Sequence, residues 1–174
     1  MKHKAFLLSI LLIALLLTAC GKKPTGVRSP QQLGETMLNA IISNDFARIS
    51  EVMTDEATYN DYREAMKQRF GQDLNPGFDA ESYAGRVAET RTAFERIRTT
   101  RAEQFGINWD KTVVVGVTLS SSTTELENYT DYTGMEIYLQ DGDSEYRLAT
   151  YGVVMTSDGQ YLLKPGRYRL MQRN

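Results

Sequence analysis

The apolar positions along the chain change period once. Before residue 110 they recur every three to four residues, and after it they alternate. Ser29-Pro30-Gln31-Gln32 predicts a helix start, with Ser as N-cap and Pro at the first helical position, and Leu33, Met37, Ala40 and Ile41 then fall on one face. Asn44-Asp45 interrupts this helix, and Phe46, Ile49 and Val52/Met53 predict a short second one. Thr54 is expected to cap a third, with Asp55 and Glu56 at its positive end and Lys67 and Arg69 at its negative end. Tyr59, Tyr62, Met66 and Phe70 form its apolar stripe, and Gly71 stops it. Residues 72–78 read as a loop through their Asn-Pro-Gly, after which Asp79 opens a long amphipathic segment with Tyr83, Val87, Phe94, Ile97 and Phe105 at helical spacing, closed by Gly106.

Beyond residue 110, Val113, Val115, Val117 and Leu119 alternate as a first strand, a polar loop follows, and Met135, Ile137 and Leu139 mark a second. Asp141-Gly142 signals a hairpin into 145–155, and Ser157-Asp158-Gly159 another into 160–171, interrupted at Lys164-Pro165-Gly166. Helices first and strands afterwards predict an α+β domain, with N-terminal helices packed on one face of a curved four-stranded antiparallel β-meander.

Residues 1–20 stand apart from this pattern. Lys2 and Lys4 precede a run, Ala5 to Leu17, that is apolar except for Ser9. That is the layout of an export signal, and the run falls short of the about 20 apolar residues that span a bilayer. Leu17-Thr18-Ala19-Cys20 closes it and resembles the bacterial lipoprotein cleavage box. The resemblance implies removal of residues 1–19 and lipid on Cys20, with at least two acyl chains, enough for stable anchoring where one chain gives only marginal binding. Gly21 in place of Asp implies outer-membrane sorting if the host is Gram-negative. Residues 20–28 then read as the lipidated Cys and a tether, and 29–174 as one α+β domain.

Composition changes meaning once this segment is set aside. The chain holds 20 basic and 22 acidic residues, one His and one Cys; removing residues 1–19 takes Lys2, Lys4 and His3, leaving 18 basic against 22 acidic and no histidine. The remaining Cys is the one expected to carry lipid. Ser-His-Asp triads, cysteine nucleophiles and Cys/His zinc centres therefore lack their residues. A mildly acidic balance without a basic tract argues against nucleic acid. No cofactor or metal is expected.

The order of elements, helices at 30–42 and 46–53 split by Asn44-Asp45, then a meander ending in Tyr168-Arg169-Leu170, resembles the nuclear-transport-factor-2-like, or cystatin-like, cone folds found among bacterial lipoproteins. The resemblance implies a cone-like domain over residues 30–171. Enzymes of that group work with an Asp or Glu, often with a His, in the cavity. Without His, an enzyme here would depend on carboxylates and tyrosines, and no carboxylate pair is marked by spacing.

Other candidates each carry a plain structural alternative. Asp141-Gly142-Asp143-Ser144-Glu145 has the acid spacing of half a calcium loop and also that of a hairpin turn. Arg91, Arg98 and Arg101 read as an anion-binding ridge or as a solvated mixed-charge face. Trp109 reads as an anchor between the long helix and the first strand. Ten tyrosines are many for this length. Tyr138, Arg147, Tyr151 and Arg169 are the candidate interaction face on the sheet, because Tyr and Arg are enriched at protein interfaces; cross-strand pairing on an exposed sheet is the alternative. The expected function is a non-enzymatic, lipid-anchored envelope protein that binds a protein partner or a small apolar ligand. A carboxylate-dependent enzyme and an envelope assembly accessory are the competing expectations.

Overall fold

The structure is a computed structural model that describes residues 25–71 and 83–173. The export signal, Cys20, the loop at 72–78 and the start of the long segment at Asp79 lie outside the described residues. The class is α+β.

Among the described residues helices form at the expected places: α1 (Pro30–Ser43), α2 (Phe46–Glu51), α3 (Glu56–Phe70) and α4 (Tyr83–Arg96). Ser29 caps α1, its hydroxyl accepting from the Gln32 amide at 3.2 Å, and Asn44 ends it in the left-handed conformation at φ 53°. Asp45 then caps α2 by accepting from Ala47 N at 3.0 Å. The cap of α3 is Asp55 rather than Thr54. The backbone N–H of Thr54 donates to Leu163 O at 2.9 Å, which holds Thr54 against a strand, so the next residue accepts from Thr58 N instead. Helix α4 runs on through a π-helical turn at Ile97–Arg101 into α5 (Ala102–Phe105), where Gly106 stops it at φ 69°. A 3-10 turn at Trp109–Lys111 leads to the strands, and the Trp109 indole N–H donates to Arg98 O at 3.1 Å, tying that junction to the π turn.

Among the described residues eight antiparallel strands follow: β1 (Val113–Leu119), β2 (Thr123–Glu125), β3 (Tyr129–Tyr132), β4 (Met135–Asp141), β5 (Ser144–Thr150), β6 (Val153–Thr156), β7 (Tyr161–Leu163) and β8 (Arg169–Arg173). They form two four-stranded sheets in the orders β1-β4-β5-β8 and β2-β3-β6-β7. The two orders are one meander divided. Each of four long segments, 113–125, 129–141, 144–156 and 161–173, gives one strand to each sheet, so the expected order of four is kept. The division falls at Ser120–Ser122, Thr133-Gly134, Tyr151-Gly152 and Lys164–Tyr168. The stretch between the first two expected strands is therefore not simply a loop, since it carries β2 and β3.

The first sheet buries Met135, Ile137, Leu139 and Leu148 against Leu33, Met37 and Ile41 of α1, with Phe94 and Ile97 joining from the long helix. Burying each such side chain contributes about 1.5–3 kcal/mol. Helix α1 lies close because residue 34 is Gly: a Cβ there would stand 2.6 Å from Val117 Cγ2. The second sheet carries a smaller cluster of Tyr62, Val154 and Leu162. Backbone bridges Val27–Tyr161 and Met53–Leu163 tie the N-terminal half to β7.

Candidate functional site

The chemistry-bearing groups gather where the meander divides. Lys164 leaves β7 with its amide donating to Gly152 O at 3.0 Å, and its side chain passes so close beneath Gly152 that a Cβ there would stand 2.4 Å from Cε and 2.8 Å from Tyr132 O. Residue 152 must therefore lack a side chain for the lysine to cross. Its Nζ reaches Asp131 Oδ1 on β3 at 2.5 Å, with the two side chains 6% and 5% exposed. The ammonium also donates to the Tyr62 hydroxyl at 3.5 Å and lies 5.3 Å from the Tyr62 ring centre and 5.7 Å from that of Tyr151. Burial, with the Asp131 carboxylate beside it, pushes the Tyr62 hydroxyl far above the ordinary tyrosine value, so it stays neutral.

Tyrosines extend this cluster. Tyr129 stacks edge-on to Tyr62 and its hydroxyl donates to Asp61 at 2.7 Å; burial and that carboxylate raise its pKa as well. Tyr83 packs on Tyr59 and donates to Thr54 O at 2.6 Å. Tyr151 lies over Gly166, where a Cβ would stand 2.9 Å from its ring. Thr90 of α4 holds that turn, its hydroxyl accepting from Gly166 N at 2.8 Å.

An amine, a carboxylate and a phenol are acid–base groups by type. Here they face one another inside the protein. The pair joins β3 to the turn after β7, and removal of either partner alone leaves an uncompensated charge.

A separate, open site has Tyr168 in its lining. Between α4 with its π turn and β8 runs a cleft of about 610 Å³ lined by Glu89, Arg96, Arg101, Arg167 and Arg169 among others. Arg167 pairs with Glu89 at 2.7 Å, Glu89 also meets Arg86 at 3.4 Å, and the Arg86 guanidinium lies 5.9 Å from the Tyr151 ring. This chain of contacts links the buried cluster to the cleft.

Of the sequence-derived face, Tyr138 and Arg147 pair directly across β4 and β5, and Arg169 on β8 shares their side of the sheet through its pairing with Ala149. Glu136 joins the first two, accepting from Tyr138 OH and from Arg147 Nη1, each at 2.9 Å. Tyr151 is not on this face; it turns inward against Lys164 and Gly166. Of the three candidate ridge arginines, Arg101 lines the cleft, Arg91 stacks on Phe46 at 4.4 Å, and Arg98 O accepts from Trp109. At the candidate calcium turn, Asp141 accepts from Asn108 N at 2.7 Å and Glu145 pairs with Arg173 at 3.0 Å. Among the described residues no group of three or more His, Cys, Asp or Glu is placed to hold a metal, and no helix is long and apolar enough to cross a membrane.

Lys164 and Asp131 were not visible as a pair in the sequence. Lys164 sits in a Lys-Pro-Gly that reads as a turn, and Asp131 in a polar stretch. No family model matches the chain, and no curated protein or solved structure matches it either.

Proposed function

We propose that the chain is a lipid-anchored, non-enzymatic protein of the bacterial cell envelope, with an α+β domain of the nuclear-transport-factor-2-like kind that binds a protein partner. The supporting observation is a separation of chemistry. The buried amine and carboxylate, Lys164 and Asp131, are shut inside the domain, while the cleft beside β8 is open and lined by four arginines and one carboxylate, Glu89, which Arg167 engages. Guanidiniums stay protonated at every working pH and serve recognition rather than proton transfer. A small apolar ligand is the weaker occupant, because the space between α1 and the first sheet is filled by Leu33, Met37, Ile137 and Leu139.

The anchor is tested by fractionating cells that express the native chain or Cys20→Ala. The native chain is expected in the membrane fraction and the variant in the soluble envelope fraction; a variant that stays wholly on the membrane contradicts the anchor. Binding is tested by recovering the native chain from detergent-solubilised envelope. One stoichiometric partner supports the reading, and turnover of an envelope substrate by the purified chain overturns it.

A further inference from the structure

Strand β8 is the last of its sheet: β5 pairs with one edge, and no strand among the described residues pairs with the other. Such an edge presents backbone N–H and C=O groups that can pair with another chain. This one borders the arginine-lined cleft. Arg167 and Tyr168 line that cleft before the strand begins, and Arg169, Leu170 and Met171, the first three residues of β8, line it consecutively, although alternate residues of a strand point to opposite faces. Consecutive lining means that the edge of the strand itself is the wall. The facing wall is one side of α4 and the π turn, through Glu89, Arg96, Ile97 and Arg101.

The charge of the cleft is one-sided although the whole chain is formally −2. Arg96, Arg101, Arg167 and Arg169 stand against the single carboxylate of Glu89, which Arg167 already engages. Among the described residues, Arg96 and Arg169 have no carboxylate within ion-pair range, and both are exposed. Arg101 donates to the Gln104 amide oxygen rather than to an acid.

We propose that this cleft receives an extended acidic segment of a partner protein, which adds as a further strand along β8 while its Asp or Glu side chains pair with Arg96, Arg101 and Arg169. The inference rests on the binding reading above and supplies the chemistry of the partner. Strand addition draws affinity from main-chain hydrogen bonds and specificity from alternate side chains. The guanidinium fork matches a carboxylate with two parallel hydrogen bonds. A free inorganic anion satisfies one or two guanidiniums and leaves the strand edge unpaired.

The test uses the full chain in detergent and a short fluorescent peptide, Val-Glu-Glu-Val-Glu-Glu-Val, which carries Glu on both faces when extended, with binding followed by anisotropy and by amide NMR shifts of residues 167–173. The peptide is expected to bind and to shift the amides of β8. Methylation of alternate backbone nitrogens, or Arg96→Glu combined with Arg169→Glu, weakens binding by about tenfold or more. Arg169→Lys keeps part of the affinity, and an undisturbed amide spectrum elsewhere shows that the variants fold. Equal binding of the N-methylated peptide overturns strand addition. Equal binding by the double Glu variant, or occupation of the arginines by phosphate or phosphatidylglycerol vesicles with no peptide binding, overturns the acidic-segment partner. A stoichiometric envelope partner whose recovery ignores the double Glu variant removes this inference and leaves the binding reading standing; no partner and no peptide binding remove both.

Discussion

Lys164 crosses beneath Gly152 to meet Asp131, and both charges are lost to solvent on the way. Taking two charges out of water costs several kcal/mol per ion, and their attraction at contact distance roughly offsets it. The pair therefore contributes little net stability, but either partner alone is a buried uncompensated charge. Lys164→Met is expected to lower stability by about 3–5 kcal/mol in urea denaturation, and Asp131→Leu with Lys164→Met to recover most of that loss. If the double variant is as unstable as the single one, packing of the lysine stem rather than its charge is what matters. Tyrosines at this scale set an alkaline limit. Burial raises Tyr62, Tyr129 and Tyr168 above the usual value of about 10. The unfolded chain ionises these phenols first and so binds fewer protons than the folded one. Their contribution is full below about pH 10 and is lost progressively as pH climbs above it toward the folded values. Denaturation midpoints at neutral pH and near pH 11, read beside phenolate absorbance, check this, and an unchanged midpoint would falsify it.

At the scale of elements, Gly34 decides how near α1 comes to the sheet. Gly→Ala inside a helix ordinarily stabilises by about 1 kcal/mol. Here the added methyl would stand 2.6 Å from a methyl of Val117, a β-branched residue with little rotamer freedom, and 3.4 Å from Ile137 Cγ2. Gly34→Ala is therefore expected to destabilise by about 1–3 kcal/mol, the reverse of the helical rule; a higher midpoint in thermal melting would show that α1 can move aside. Elements with local signals were legible in the sequence. Ser29, Asn44 and Asp45 mark helix ends by side chains that satisfy amides within a few residues, and Met135, Ile137 and Leu139 mark β4 by strict alternation. Strands β2 and β3 were not, because Thr, Glu, Tyr and Asp carry their pairing and no apolar alternation announces them. Thr54 looked like a cap because the contact that occupies its amide comes from Leu163. The same holds for the sites. Asp131 and Lys164 are 33 residues apart, and the cleft arginines come from a helix and a strand that only the fold brings together.

For the whole molecule, the division of the meander raises the question of whether the two sheets behave as one body. Each of the four long segments passes from one sheet to the other, so unfolding the second sheet alone would free four chain crossings at once. Lys164 and Asp131 sit at that division, Thr90 clamps its turn to α4, and the Met53–Leu163 bridge fastens the helical half to β7. The larger core also takes Val153 and Leu163 from the second sheet, so the apolar burial is not partitioned between the sheets. These couplings predict a single cooperative transition. The chain offers a probe on each side: Trp109, its one tryptophan, stands before β1 and packs on the main core, while Tyr62 and Tyr129 report the second sheet. Tryptophan fluorescence and the assigned ring NMR signals of Tyr62 and Tyr129 are expected to give coincident denaturation midpoints. Leu148→Ala, which empties a buried position in the first sheet, is expected to cost about 2–5 kcal/mol and to move both midpoints together. A tyrosine transition that stayed in place while the tryptophan transition moved would mean that the second sheet unfolds as a separate unit, with the Lys164–Asp131 boundary as a hinge rather than a tie.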